Sequence, residues 1–225
     1  KAAFAALGTR ILACASAPSL DTLHHKGRFY ELVQDAITPP PDFRPFATLE
    51  EFETAYAQLR PRYSTLCIKP AYSVYGLGFA IVDERRNGAE LLLAGKVNQI
   101  ALNQWRDGIA RLGRCKSMLL MQFLDSHEWS VDAVAEYGRL VCAVPRKKFA
   151  YSGAGQLIEM RQDVLAATAE FARMFSLNGV FNVQFKECAN RLHVLEINPR
   201  MSGGIALACL AGPNLPYIAL TGFVD

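Results

Sequence analysis

The sequence lacks most of the marks that assign a chain at sight. No apolar run is long enough to span a bilayer, so a membrane partner is not expected. No GxxxxGK[ST] is present, which excludes a P-loop, and the GLG formed by Gly76, Leu77 and Gly78 stands alone rather than inside a dinucleotide fingerprint. There is no Cys-x-x-Cys. The six cysteines (Cys14, Cys67, Cys115, Cys142, Cys188 and Cys209) are widely scattered, so neither zinc nor a disulfide framework is indicated, and a reducing cytoplasm is the expected setting. Cys67 and Cys142 lie within apolar runs and read as buried thiols. Charge of one sign is also scarce. A net charge of +3 is too small to argue for nucleic acid or a membrane surface. The first residue is Lys, not Met, which suggests a fragment or a trimmed chain. Residues 1–17 end in the small-residue stretch ACASA, but Thr9 and Arg10 break the apolar run and argue against a signal peptide.

The composition is otherwise that of a globular protein, 51% hydrophobic and 20% charged. At 225 residues the chain allows one to two domains and a core that needs no staples.

The chemistry is concentrated in residues 179–204. Residues 192–198 read as a strand in which Glu196 and Asn198 share one face, with Leu195 and Ile197 on the other. Pro199 ends the strand, and Arg200 follows it. Gly203 and Gly204 come next, where backbone can approach a ligand closely. Residues 179–186 alternate in the same way, and 187–191 form a short polar loop. Pairing Lys186 with Leu192 sets Asn182 opposite Glu196, with Gln184 diagonal to it. Asn182, Gln184, Glu196 and Asn198 then form a wet face. Phe181, Val183, Phe185, Leu195 and Ile197 form a dry one, which also takes His193. A carboxylate and amide oxygens on one face, with a guanidinium just beyond, suit a hard cation and a phosphate.

FNVQF followed by LEINPR closely resembles the metal-binding hairpin of the ATP-grasp superfamily. The resemblance implies an α+β, two-lobed ATP-grasp fold of antiparallel sheets with flanking helices. It also implies ATP as cofactor, held with Mg²⁺ by Gln184, Glu196 and Asn198, and Arg200 at the transferring phosphate. The neutral Gln184 is similar to the carbamoyl-phosphate-synthetase-like branch. INPRMSGG resembles ATP-grasp proteins associated with tellurite-resistance operons.

Residues 9–15 read as a short buried strand and 18–35 as a helix carrying Lys26. Together they resemble the end of the family's N-terminal domain, with Lys26 reaching the ATP phosphates; a solvated helix Lys is the other reading. The run of prolines at 39–41 is a rigid linker. Thr48 opens a helix to about Leu59 through a capping box with Glu51. Residues 65–70 read as a buried strand ending in Lys69, and 71–79 as a loop with Gly76 and Gly78. A strand Lys beside a closable glycine loop is a phosphate clamp, and it resembles the small-lobe Lys and glycine-rich loop of the family.

Residues 98–111 read as a helix and 117–124 as a strand. Residues 118–134 resemble the interlobe hinge and the strand after it, which implies that Gln122, Phe123 and Leu124 meet adenine through their backbone and Glu128 meets the ribose. Arg146, Lys147 and Lys148 end another strand, and in the family a cation there lies near the transferred phosphate. Residues 152–155 form a flexible loop, Asp163 caps a helix over 164–176, and further helices follow Gly204 and Pro216.

The expected domains are 1–37, the end of a pre-ATP-grasp domain with its linking helix; 38–117, the small lobe; and 118–225, the large lobe with the metal site. The implied reaction is transfer of the ATP γ-phosphoryl group to a carboxylate and attack on the acyl phosphate by an amine, with Arg200, Lys69 and Arg146 as catalytic residues. Small-molecule carboxylate and amine substrates are the implied partners, and a homo-oligomer is possible. A bicarbonate-activating lobe and a non-catalytic nucleotide-binding module remain alternatives.

Overall fold

A computed structural model describes Phe4 and residues 6–73, 76–149 and 155–224. Residues 152–154 of the expected flexible loop, and Val74 and Tyr75 of the glycine loop, lie outside the described residues. The chain divides into two compact units.

The first unit comprises His24–Glu31 and Pro40–Leu124. Its sheet is built from β1 (Phe43–Phe46), β2 (Leu66–Pro70), β3 (Ala80–Asp83), β4 (Gln99–Ala101) and β5 (Met118–Gln122), in the order β1-β5-β2-β3-β4. Only the β3–β4 pair is parallel. Helices α3 (Leu49–Leu59), α4 (Gly88–Leu93) and α5 (Leu102–Leu112) belong to this unit. Thr48 caps α3 as expected, its Oγ1 accepting from the Glu51 N–H at 3.3 Å. Phe52, Ala55 and Leu59 on α3 pack with Ile109 of α5 and with Leu66, Ile68 and Leu120 of the sheet.

Several expectations are corrected in the N-terminal half of the chain. The helix expected over 98–111 begins only at Leu102, because Gln99–Ala101 pairs with β3 instead. Residues 9–15 form no strand. The helix expected over 18–35 is two helices, α1 (Ala17–His24) and α2 (Lys26–Leu32). The break falls at His25, whose Nδ1 accepts from the Arg28 N–H at 3.2 Å and so replaces an intrahelical bond. The domain boundary expected at 117/118 also moves. Met118–Gln122 pairs with β1 and β2, so the units divide between Leu124 and Asp125.

The second unit comprises Lys1–Leu23, Leu32–Pro39 and Asp125–Asp225. Its sheet holds β6 (Glu128–Glu136), β7 (Arg139–Lys148), β8 (Gln156–Ile158), β9 (Gly179–Cys188) and β10 (Arg191–Asn198), in the order β10-β9-β6-β7-β8, with every pair antiparallel. One face is dry. Trp129, Val131, Phe181, Val183, Phe185, Val194 and Ile197 are buried, and α6 (Gln162–Met174) lays Phe171 against Phe185, ring to ring at 6.2 Å. Asp163 lies inside the first turn of α6 rather than capping it. A hydrogen bond from Arg161 holds its carboxyl below the usual carboxylate range. The other face is apolar at one end, where α7 (Ile205–Cys209) and α8 (Leu215–Val224) cover Val134, Val144 and Val180. Further along, that face becomes polar.

The hairpin that joins β9 to β10 is tighter than expected. Ala189 and Asn190 form a two-residue turn with φ of +49° and +60°, so the strands run on to Cys188 and Arg191. The register also differs. Lys186 faces His193 rather than Leu192, and a bulge between Val194 and Glu196 shifts it again. Leu195 is the extra residue and is only half-buried, while Val194 takes the dry position expected of it. His193 moves to the face shared with Lys186 and Gln184.

Candidate functional site

After the bulge, Glu196 stands directly opposite Gln184, and Asn198 directly opposite Asn182. All four residues share the wet face, as the alternation required, though with different partners. Were Leu195 paired in a regular ladder instead, Glu196 would fall opposite Val183, where Ile197 now sits, and point into the core. Asn198 Nδ2 donates to Glu196 Oε1 at 2.9 Å. Arg200 Nη2 donates to Asn198 Oδ1 at 3.4 Å, and its Nη1 to the Met201 carbonyl at 3.0 Å. The guanidinium therefore sits off the end of the strand beside the amide. Gln184, Glu196 and Asn198 offer one carboxylate and two amide oxygens. That donor set fits Mg²⁺, which accepts few protein ligands and keeps water or phosphate oxygens in the rest of its shell. No cluster of three or more His, Cys, Asp or Glu suited to a metal occurs among the described residues, so such a site relies on amides.

The wet face continues across β6 and β7. Ser130 lies between Gln184 and Arg146, and Asp132 between Asn182 and Val144. Arg146 is not at a strand end but inside β7, 1% exposed. Its Nε and Nη2 donate to Asp132 Oδ2 at 2.8 and 2.6 Å. Nη2 also donates to Ser130 Oγ at 3.2 Å and Ser202 Oγ at 3.1 Å, and Nη1 to Gln156 Oε1. Asp132 is fully buried. Reading the sequence missed Ser130 and Asp132, although Glu128, Ser130 and Asp132 alternate with Trp129, Val131 and Ala133 by the same rule that exposed the hairpin. Gln156 and Ser202 left no such signal.

Arg146 also accounts for Gly204. A Cβ at that position would fall 2.4–2.7 Å from the guanidinium, so the loop after Arg200 packs backbone directly on the cation. Gly204→Ala is expected to push Arg146 off Asp132 and to lower stability by about 1–3 kcal/mol, the usual cost of overpacking a filled site. Urea unfolding measures it, and an unchanged midpoint would mean the loop moves aside freely.

Glu128 begins β6 and is paired in register with Lys148 and Lys186. Its Oε1 accepts from Lys148 Nζ at 2.6 Å. Cys14 and Cys142 are half-buried, and burial pushes the Cys14 thiol up to about 11 and raises that of Cys142, which leaves both unreactive.

In the first unit, Lys69 lies on β2 with its Nζ donating to the Tyr30 hydroxyl and 4.8 Å from the centre of that ring. Tyr30 is wholly buried against Phe29 and Phe43. Lys26 is buried rather than solvated, at 8% exposure. Its Nζ donates to the Ser73 carbonyl at 3.0 Å, and its own N–H to the Ala71 carbonyl at 2.7 Å. Lys26 thereby ties α2 to the start of the glycine loop. Gly76 and Gly78 have φ of +69° and +80°, and a Cβ on Gly78 would meet Pro70 at 2.7 Å. At 122–124, the Gln122 N–H donates to the Asp42 carbonyl at 2.9 Å and the Phe123 N–H to the Thr65 carbonyl at 3.1 Å, while Leu124 is buried. Those two N–H groups anchor the segment to its own unit.

Residues 114–225 match the family model described as "ATP-grasp in the biosynthetic pathway with Ter operon". The carbamoyl phosphate synthase large chain of Thermomicrobium roseum is 26% identical over 204 residues, 88% of this chain and 18% of that protein. Among solved structures, the L-amino acid ligase of Bacillus licheniformis is similar with a TM-score of 0.63 at 15% identity, covering 97% of this chain and 51% of that one. Biotin carboxylase of Campylobacter jejuni, solved as a β-γ-ATP complex, is similar with a TM-score of 0.70 at 13% identity, covering 98% of this chain and 50% of that one. The chain thus spans under a fifth of the length of the synthase and about half of each solved chain. At such identities the structural likeness speaks to fold alone. No helix among the described residues is long and apolar enough to cross a membrane. Residues 114–225 thus belong to the ATP-grasp superfamily, in the branch described with the Ter operon, and the fold is matched over nearly the whole length.

Proposed function

We propose that the chain is the nucleotide-binding part of an ATP-dependent ligase that activates a carboxylate for attack by an amine. The observation that carries this reading is the oxygen set Gln184, Glu196 and Asn198 on one hairpin, with Arg200 at the end of its strand. A carboxylate oxygen of the substrate attacks the γ-phosphorus, the bond to the ADP oxygen breaks, and an acyl phosphate forms. An amine or similar nucleophile then adds at the acyl carbon, loses its proton, and phosphate leaves. The barrier is mostly alignment and charge. Gln184, Glu196 and Asn198 would hold Mg²⁺, which supplies charge neutralisation on the phosphates when bound. Arg200 would stabilise the transferring group. Lys69 and Lys26 would serve the phosphates, the 122–124 backbone the adenine, and Glu128 the ribose.

A bicarbonate-activating lobe is the second reading, favoured by the neutral Gln184 and by the 26% identity to a carbamoyl phosphate synthase. Release of ADP, screened with pooled carboxylic acids and amines and with bicarbonate alone, separates the two. Turnover with bicarbonate alone would overturn the ligase reading. Failure of Mg-ATP to raise the unfolding temperature would overturn both. Lys69→Ala is expected to weaken ATP binding by about tenfold to a hundredfold, the range for one charge-assisted hydrogen bond. Calorimetric titration with a non-hydrolysable analogue measures it, and unchanged affinity removes Lys69 from the nucleotide site.

A further inference from the structure

Asn182 is 1% exposed, and its Oδ1 has no hydrogen-bond partner. Its Nδ2 donates to the Val131 carbonyl at 3.1 Å, Asp132 Oδ1 at 3.1 Å and Ser130 Oγ at 3.0 Å. A carbonyl and a carboxylate held by Arg146 can only accept, so the amide cannot be turned over without setting oxygen against oxygen. All three partners lie on β6. Oδ1 is therefore turned away from β6, on the residue whose neighbour on the other side is Asn198 of β10. A buried acceptor left without a donor is costly, and its retention calls for an explanation.

We infer that Asn182 is a further oxygen of the cation site, supporting the divalent ion directly or through an ion-bound water, and that the buried chain from Arg146 through Asp132 to the Asn182 amide exists to aim it. This inference rests on the proposed function of the hairpin. It also gives Arg146 its place. A guanidinium 1% exposed, with Asp132, Ser130, Ser202 and Gln156 around it, orients the site from beneath. In this role Arg146 is a positioning residue.

The test is Mn²⁺ binding by the full chain in the presence of a non-hydrolysable ATP analogue, read from the paramagnetic resonance of free Mn²⁺. Asn182→Ala is expected to weaken Mn²⁺ binding about tenfold, as removal of metal-site support commonly does, with metal-free nucleotide binding unchanged. Asn182→Asp keeps an oxygen at the site and adds a charge, so it is expected to tighten Mn²⁺ binding, although the new carboxylate beside Asp132 lowers the melting temperature of the metal-free protein. A purely structural Asn182 would move both variants in the same direction. Equal Mn²⁺ affinity in wild type and both variants, or weakening in both, overturns the inference while leaving the proposed function in place. A wild type that binds no Mn²⁺ with the analogue removes the hairpin reading and this inference together.

Discussion

Asp132→Ala is expected to destabilise the second unit by about 3–5 kcal/mol, the cost of leaving a buried charge without its partner. The stranded group is the Arg146 guanidinium, 1% exposed and held by two bonds to Asp132 Oδ2. The loss reaches further than one ion pair. Asp132 Oδ1 also accepts from Asn182, and Arg146 holds Ser202 in the loop that packs Gly204 against it. Chemical denaturation of the second unit's transition measures the effect. A control separates the stranded charge from the lost contact: Asp132→Leu combined with Arg146→Met removes both charges, and should be less destabilised than Asp132→Ala despite carrying two changes. If the single variant unfolds at the wild-type midpoint, the pair is hydrated in solution and the buried network has been misread.

The alternation in FNVQF and LEIN was enough to name a wet face and a dry one, because side chains on a strand must alternate. The bulge at Leu195 was not legible. Val194, Leu195 and Ile197 are all apolar, and only packing against Phe185 and Val183 decides which of the first two enters the core. Asp132 was legible in principle, since it alternates with Trp129 and Val131. Arg146 stood out as a cation in the sequence, but its surroundings did not, because Ser202 is 56 residues away along the chain. The break at His25 was hidden for a different reason. A His that caps a helix through Nδ1 has no spacing pattern to betray it, so the run from 18 to 35 looked continuous. For Lys26 the sequence offered both a phosphate-reaching Lys and a solvated helix residue, and its burial against Ser73 and Ala71 had no local signal, since both lie more than 40 residues on.

Glu196→Ala is expected to lower substrate-dependent ADP release by at least about a hundredfold, the scale on which a single electrostatic contact to a developing charge is felt. The fold should survive. Glu196 is half-buried and accepts from Asn198 on its own strand, and loss of that bond should cost about 1 kcal/mol. Glu196→Gln sharpens the test. It keeps the length of the side chain and an oxygen for the Asn198 amide, but removes the only formal negative charge in the Gln184, Glu196 and Asn198 set. If charge toward a cation is what the site needs, the Gln variant should fall nearly as far as the Ala variant. If packing is all that matters, it should behave as wild type. Asp132 cannot take over, because Arg146 and Asn182 occupy its oxygens. Steady-state ADP release with the accepted acid and amine gives the answer, and normal turnover by either Glu196 variant would remove this hairpin from the chemistry.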